Sequence, residues 1–161
     1  MAKRKPPSKR LVIDASVLRA SGGAAAVHPT ATRCRDFLVS VLEICHRVIL
    51  SESMQVEWKA HASKFAHGWW TSMAARRKIL RVDDDADEEV RRPLGKAKLT
   101  EKQRAAIEKD LHLLEDALRG DAIVVGIDIR LTEYVTKASE RARKLKSIRF
   151  IDPCDESADE I

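Results

Sequence analysis

Residues 109–131 read KDLHLLEDALRGDAIVVGIDIRL and decide the fold, because they predict a helix, a tight turn and a buried strand in succession. Thr100 and Gln103 match a capping box, which is expected to start the helix. Gly120 is expected to end it in the left-handed conformation. The apolar run at 122–127 then suits a strand that is buried on both faces of a parallel sheet.

Two acidic residues of this stretch are candidates for chemistry. The predicted helix carries one apolar stripe, which consists of Ile107, Leu111, Leu114 and Leu118. Asp110 borders that stripe, whereas Asp116 is expected on the solvated face of the helix. Asp128 follows the strand, at the end where open α/β sheets bind ligands. A carboxylate beside a core is costly without a compensating positive charge, so Asp110 and Asp128 require an explanation.

Length and charge restrict the class of protein. The 161 residues predict one domain, 1–161, with a flexible basic arm at 1–9 and an acidic tail at 152–161. The charges of the two ends cancel, so the middle of the chain carries the whole formal net charge of +5. A polyanionic partner is one explanation, and the ordinary composition of the host proteome is another.

The cellular compartment is predicted from the cysteines and from hydropathy. The three cysteines are an odd number and lack the spacing of a metal site. No apolar run approaches the ~20 residues that a membrane span needs. Both features favour a cytoplasmic protein.

Short apolar strands alternate with helices along the chain, which predicts an α/β fold. Strands are expected at 10–14, 47–51, 122–127 and 147–151, with a helix or bent extension at 69–80 and a helix from Thr132 to about Leu145. Residues 83–98, acidic and then basic, are expected to form a mobile connection. The pattern favours a three-layer α/β/α architecture with a central parallel sheet.

Four acidic residues from four segments are expected to meet at one edge of this sheet. They are Asp14 after the first strand, Glu57 early in the helix after the second, Asp110, and Asp128. Right-handed crossovers bring the strand ends together. Clustered carboxylates repel one another unless they hold a cation, and Mg²⁺ or Mn²⁺ prefers such oxygen ligands. Because such an ion can polarise a phosphate and activate water, the cluster indicates a metal-dependent nuclease. No Cys or His is expected to join it, which disfavours zinc.

Each acid also has a purely structural explanation. Asp14 would terminate a strand and cap a turn, and Glu57 would interact with the dipole of its helix. Asp110 would pair with Arg104 or Arg130, and Asp128 would be an ordinary turn residue. The coincidence of all four favours chemistry over these separate explanations.

Four motifs in order resemble the PIN domain (PilT N-terminus) nucleases over nearly the whole chain. They are VIDASVL at 12–18, ILSESMQVEW at 49–58, KDLHLLEDAL at 109–118 and IVVGID at 123–128. The resemblance implies a sheet of about five parallel strands and Mg²⁺- or Mn²⁺-dependent cleavage of single-stranded RNA. It makes the four acids the catalytic metal site, with Glu57 as a ligand or as the group that orients water. Ser16, Arg130 and a basic helix at 132–145 would contact the RNA.

The sequence departs from the family pattern at two places, which keeps other functions open. Gly126 stands where the family commonly has Ser or Thr, and Arg130-Leu131-Thr132 stands where many members have a further Asp. A lost hydroxyl beside a metal ligand loosens water orientation. The alternatives are a non-catalytic nucleic-acid-binding module and, less well matched in spacing, a phosphoacceptor receiver-like domain.

The biological role of such a nuclease is left open by the sequence. It fits a toxin of a VapC-like pair, which would have an antitoxin-like protein partner, and equally a housekeeping RNA-processing enzyme. Trp69-Trp70 beside Gly68 suggests a homodimer contact.

Overall fold

The computed structural model describes residues 7–23 and 27–161. Within them one sheet has five strands, all parallel, in the order β3-β2-β1-β4-β5. The strands are β1 Arg10–Ile13, β2 Arg47–Leu50, β3 Ile79–Arg81, β4 Ile123–Val125 and β5 Arg149–Ile151. The predicted three-layer α/β/α fold with a parallel sheet of about five strands is confirmed. Most of the predicted basic arm, residues 1–6, lies outside the described residues.

The same part of the chain forms eight α-helices and two short 3₁₀ helices. The α-helices are α1 Ala15–Ala20, α2 Pro29–Glu43, α3 Glu52–His61, α4 Lys64–Ala75, α5 Glu88–Gly95, α6 Glu101–Lys109, α7 Leu111–Arg119 and α8 Ile129–Ala138. The 3₁₀ helices are Arg143–Ser147 and Ala158–Glu160. No helix among these residues is long and apolar enough to cross a bilayer.

The two central strands, β1 and β4, define the position of the site. Leu11, Val12 and Ile13 are completely buried, as a strand covered on both faces requires. β1 pairs with β2 on one side and with β4 on the other, so the strand order reverses between β1 and β4. Ligands of open α/β sheets bind in the crevice at such a switch point. Asp14 lies there, and its N–H donates to the carbonyl of Val125 at 2.9 Å.

The long helix predicted from Thr100 onward is interrupted at Asp110. The capping box of Thr100 and Gln103 is present, but α6 ends at Lys109 and α7 begins at Leu111. Asp110, with φ −103° and ψ 14°, is both the C-cap of α6 and the N-cap of α7. The break places the Asp110 side chain at a helix junction.

The expectation that Asp116 is solvated is wrong. Asp116 is 0% exposed and accepts hydrogen bonds from the hydroxyl of Ser51 and from Arg119, the latter at 2.7 Å. The physical reason is that α7 packs against the sheet, so Asp116 meets Ser51 at the end of β2 rather than solvent. Glu115, also buried, accepts from Arg91 at 2.7 Å.

Residues 83–98 were predicted as a mobile connection, and this prediction is wrong for residues 88–95. Residues 88–95 form α5, which Asp87 caps by accepting from the N–H of Glu89. Val90 and Leu94 point into the core, with 0% and 4% of their surface exposed. Pro93 and a mixed charge pattern concealed this short amphipathic helix in the sequence.

The strand β3 was missed because residues 69–80 were assigned to a helix. The helix α4 instead starts at Lys64, continues through Gly68 and ends at Ala75. Arg77 then takes a positive φ of 55° and leads into β3, where Ile79 and Leu80 are only half-buried. A three-residue edge strand of this kind leaves a weak periodic signal.

The predicted left-handed C-cap at Gly120 is wrong, although a glycine is required there. Its φ is −105°, and the left-handed conformation falls on Ala122, with φ 56°. A Cβ on Gly120 would lie 2.7 Å from the carbonyl oxygen of Arg10 and closer still to the Ile49 side chain. Close packing of the turn against β1 therefore excludes a larger residue.

Candidate active site at the carboxyl edge of the sheet

Asp14 follows β1 and is the N-cap of α1. Its carboxylate accepts from the backbone N–H of Ser16 at 3.3 Å and from the Ser16 hydroxyl. The capping role expected as the structural alternative is therefore present. It also holds the carboxylate at the carboxyl end of the central strand.

Asp128 has the same relation to β4 that Asp14 has to β1. It caps α8 by accepting from the N–H of Arg130 at 3.0 Å and is exposed. The helix begins at Ile129 and ends at Ala138, so the predicted start at Thr132 and end near Leu145 are wrong. An Asp cap satisfies the first amides of the helix as a Thr would, and Asp128 lies four residues before the expected cap, Thr132.

Glu57 lies on α3 with about one third of its side chain exposed, 32%. Its Oε1 is 3.1 Å from Nε2 of His112, on α7. The two atoms lack hydrogen-bond geometry, and this buried Nε2 has no hydrogen-bond partner in the described part of the chain. A small rotation of either side chain would let His112 donate to Glu57.

Asp110 carries the most perturbed carboxyl group of the site. Burial, followed by the negative charges of Asp14 and Glu57, raises its pKa from 3.8 to about 6, although Lys109 and His112 act in the opposite direction. Its side chain makes no cap hydrogen bond. The pairing with Arg104 that was considered does not form, because Arg104 donates to the carbonyls of Leu94 and Ala97 at 3.0 and 2.9 Å. The carboxylate therefore lacks a direct cationic partner among the described residues.

All four predicted acids line one cavity of about 420 Å³, hereafter the acidic cavity. The remaining lining residues are Ala15, Ser16, Arg19, His61, Lys109 and Ile127. Arg19, His61 and Lys109 were not predicted as site residues. His61 lines the cavity, whereas the prediction that no histidine joins the metal-binding carboxylates stays a prediction. Helical spacing could have indicated His61, which lies four residues after Glu57 on α3.

The donor set of the cavity suits a hard divalent cation. Its four acidic side chains offer carboxylate oxygens, which are the ligand atoms that Mg²⁺ and Mn²⁺ prefer. Among the described residues, however, no three His, Cys, Asp or Glu side chains converge closely enough to hold an ion. Like charges at short range favour such separation. Binding would therefore require the carboxylates to turn inward.

A second, smaller hollow of about 170 Å³ adjoins the same edge, between the ends of β4 and β5. Asp14 and Asp128 line it together with Asp152, Asp155 and Glu156 of the predicted acidic tail. The tail is packed against the domain, since Ala158 and Ile161 are 0% and 8% exposed. It therefore adds negative charge beside the candidate site.

The predicted RNA-contacting residues differ in their surroundings. Arg130 is exposed next to Asp128. Lys144, from the predicted basic helix, is paired with Asp87 at 3.0 Å and with Glu89 at 2.7 Å. This lysine is therefore partly neutralised by the cap and first turn of α5.

No protein-family model matches this chain, and a search of the curated proteins finds no match. The resemblance to the PIN domain nucleases therefore stays a prediction.

Proposed function

We propose that this protein is a metal-dependent endonuclease of the PIN type that hydrolyses phosphodiester bonds in single-stranded RNA. The observation that carries the proposal is the meeting of Asp14, Glu57, Asp110 and Asp128 at one cavity. They come from four separate segments and lie at the switch point of a parallel sheet. The raised pKa of Asp110 supports it, because uncompensated negative charge is what a bound cation would relieve.

Each acid has an assigned part in this proposal. Asp14, Asp110 and Asp128 would hold Mg²⁺ or Mn²⁺, and Glu57 would hold it or orient the attacking water. A bound ion of this kind supplies charge for the phosphate and lowers the pKa of a bound water. The capping bonds of Asp14 and Asp128 fix the backbone from which two of the ligands project. Arg130 and Ser16 would contact the substrate.

A cleavage assay tests the proposal. Purified wild-type protein is incubated with mixed single-stranded RNA, with Mn²⁺, with Mg²⁺ or with a chelator. We expect cleavage only with a divalent ion, and a loss of at least about 100-fold in Asp14→Asn. Glu43→Gln, an exposed acid at the end of α2, is the matched control and should cleave like wild type. Full metal-dependent cleavage by Asp14→Asn would refute the assigned roles.

The alternative is a nucleic-acid-binding module that keeps the fold without catalysis. Two observations favour it: Gly126 supplies no hydroxyl beside Asp14, and no three acids converge among the described residues. Salt-sensitive RNA binding without hydrolysis in Mg²⁺ or Mn²⁺ would select this function.

We further propose a cytoplasmic role, either as a toxin with an antitoxin-like partner or as an RNA-processing enzyme. The predicted homodimer contact stays a prediction. Trp69 is buried, and Trp70 packs edge-on against Trp58 with ring centroids 5.2 Å apart, so little of either ring is offered to a second copy. A neutralising protein encoded beside this chain would favour the toxin.

A further inference from the structure

A groove separate from the acidic cavity lies between α5 and α6. It has a volume of about 500 Å³ and is lined by Arg91, Leu94, Gly95, Arg104, Glu108, Leu111 and His112. Two guanidinium groups, an imidazole and two leucines form its walls. Arginine planes, histidine rings and apolar surface are the groups on which unstacked bases pack.

The part of the chain from Arg91 to Lys109, which forms most of the groove, is basic. Residues 91–109 contain seven Lys or Arg and two Glu, so their net charge of +5 equals that of the entire chain. Five of the seven basic residues lie on α5 or α6, which fixes their backbone positions relative to the groove. A polyphosphate strand would therefore be attracted to this surface more strongly than to the acidic edge itself.

Both arginines of the groove are held in place by defined contacts. Arg91 binds buried Glu115 with Nε at 2.7 Å and Nη2 at 3.0 Å, while 43% of its side chain stays exposed. Arg104 donates to the carbonyls of Leu94 and Ala97 and so joins α6 to the end of α5. A guanidinium group has five N–H donors, so each retains donors for a ligand. Preorganised arginines bind at a lower entropic cost.

The groove and the acidic cavity lie on either side of the junction between α6 and α7. Lys109 and Asp110 line the cavity, whereas Glu108, Leu111 and His112 line the groove. His112 also approaches Glu57 of the cavity at 3.1 Å. One strand of nucleic acid could therefore contact both the groove and the acidic cavity across the α6–α7 junction.

We propose that the α5–α6 groove is a binding subsite for the nucleotides next to the scissile phosphate of a single-stranded RNA. Arg91 and Arg104 contact the phosphates, and a base packs on Leu94, Leu111 and the His112 ring. This assignment rests on the proposed nuclease function. It adds the basic α5–α6 segment to the surfaces that contact the strand.

Two glycines provide a matched test. Gly95 lines the groove, Gly68 lies on α4, both are exposed, and an added Cβ at either meets no atom within 4 Å. Binding of a mixed single-stranded oligoribonucleotide is measured by fluorescence anisotropy with a chelator, so that nothing is cleaved. We expect Gly95→Glu to weaken binding roughly tenfold by charge repulsion and obstruction, and Gly68→Glu to change it less than about twofold.

A second pair of variants replaces a glutamate by lysine and so adds positive charge. Glu108→Lys should tighten binding roughly threefold and steepen the salt dependence by about 0.7, the value for one more phosphate contact on a single strand. Glu43→Lys, at the amino edge of the sheet, carries the same change and should leave the salt dependence unaltered.

The possible outcomes separate this inference from the proposed function. The proposed subsite is overturned if RNA binding changes equally in Gly95→Glu and Gly68→Glu. It is also overturned if binding and its salt dependence change equally in Glu108→Lys and Glu43→Lys. Metal-dependent cleavage by wild type together with such a result would leave the nuclease standing without the groove. Absence of RNA binding by wild type overturns the groove as well. Should Gly95→Glu unfold, the Glu108→Lys pair decides alone.

Discussion

Gly126 lies directly against Asp14: a Cβ added to Gly126 would stand 3.6 Å from the Cβ of Asp14, an ordinary contact distance. Under the proposed nuclease function, Gly126 takes the position where PIN domain nucleases commonly carry a hydroxyl, and the position has room for one. Its φ is not in the left-handed region, so a side chain there carries no backbone strain. The absence of a hydroxyl at this position therefore has no steric cause.

Gly126→Ser is expected to raise the rate of Mn²⁺-dependent RNA cleavage. A serine hydroxyl beside Asp14 would orient that carboxylate or a water, and such supporting contacts are typically worth 10- to 100-fold. We expect a gain of roughly threefold to tenfold, measured as initial cleavage rates. Gly126→Ala adds the same Cβ without the hydroxyl and should not exceed wild type. Equal gains in both variants would show that packing, rather than hydroxyl chemistry, limits the site.

Asp110→Asn is expected to stabilise the protein at pH 7. The pKa of Asp110 is raised to about 6, so between about pH 4 and pH 6 the folded state keeps a proton that the unfolded state has lost. The free energy of unfolding therefore falls as the pH rises through this window, and the loss persists above it. With screening allowed for, the variant should gain on the order of 1–2 kcal/mol at pH 7.

The measurement is urea unfolding of both proteins at pH 4 and pH 7. The difference between them should be smaller at pH 4, where Asp110 is protonated in the folded state and only partly ionised in the unfolded state. Glu43→Gln, which changes an exposed acid, should show no such pH-dependent difference. A variant less stable than wild type at pH 7 would contradict the inferred cost of burying the Asp110 carboxylate near Asp14 and Glu57.

Asp116→Ala is expected to destabilise the fold without affecting chemistry. The buried carboxylate joins Ser51 at the end of β2 to Arg119 on α7, and its removal leaves both partners unsatisfied. We expect a loss of about 2–4 kcal/mol in the free energy of unfolding, measured in urea. Asp121→Ala, which breaks the more exposed pair with Arg10, should cost about 1 kcal/mol or less. The cleavage rate per folded Asp116→Ala molecule should equal that of wild type.

The strands that carry the site could be predicted because their apolar runs are a strong sequence signal. β1, β2 and β4 are continuous apolar runs, and their order along the chain placed Asp14, Glu57 and Asp128 at one edge. Asp110 was identified because a carboxylate beside an apolar stripe is costly. These local rules do not depend on knowing the tertiary neighbours.

The errors occur where tertiary contacts override the local pattern. Asp116 follows Glu115 in the sequence, yet its carboxylate is buried against Ser51 at the end of β2. The helix α5 is too short to be predicted from periodicity, and its stability comes from Val90, Leu94 and the pair of Arg91 with Glu115. His112 and Glu57 lie on different helices, α7 and α3, so no rule of sequence spacing predicts their contact.

The central claim is that the four carboxylates share a divalent ion, and isothermal titration of Mn²⁺ at pH 7 tests it most directly. Wild type should bind Mn²⁺ at a site that Asp14→Asn and Asp110→Asn weaken at least about tenfold, while Glu43→Gln leaves the affinity unchanged. Saturation at about 100 times the dissociation constant should also stabilise wild type by about 2.7 kcal/mol. Equal Mn²⁺ affinity in wild type, Asp14→Asn and Asp110→Asn, or no binding by wild type, would contradict the account.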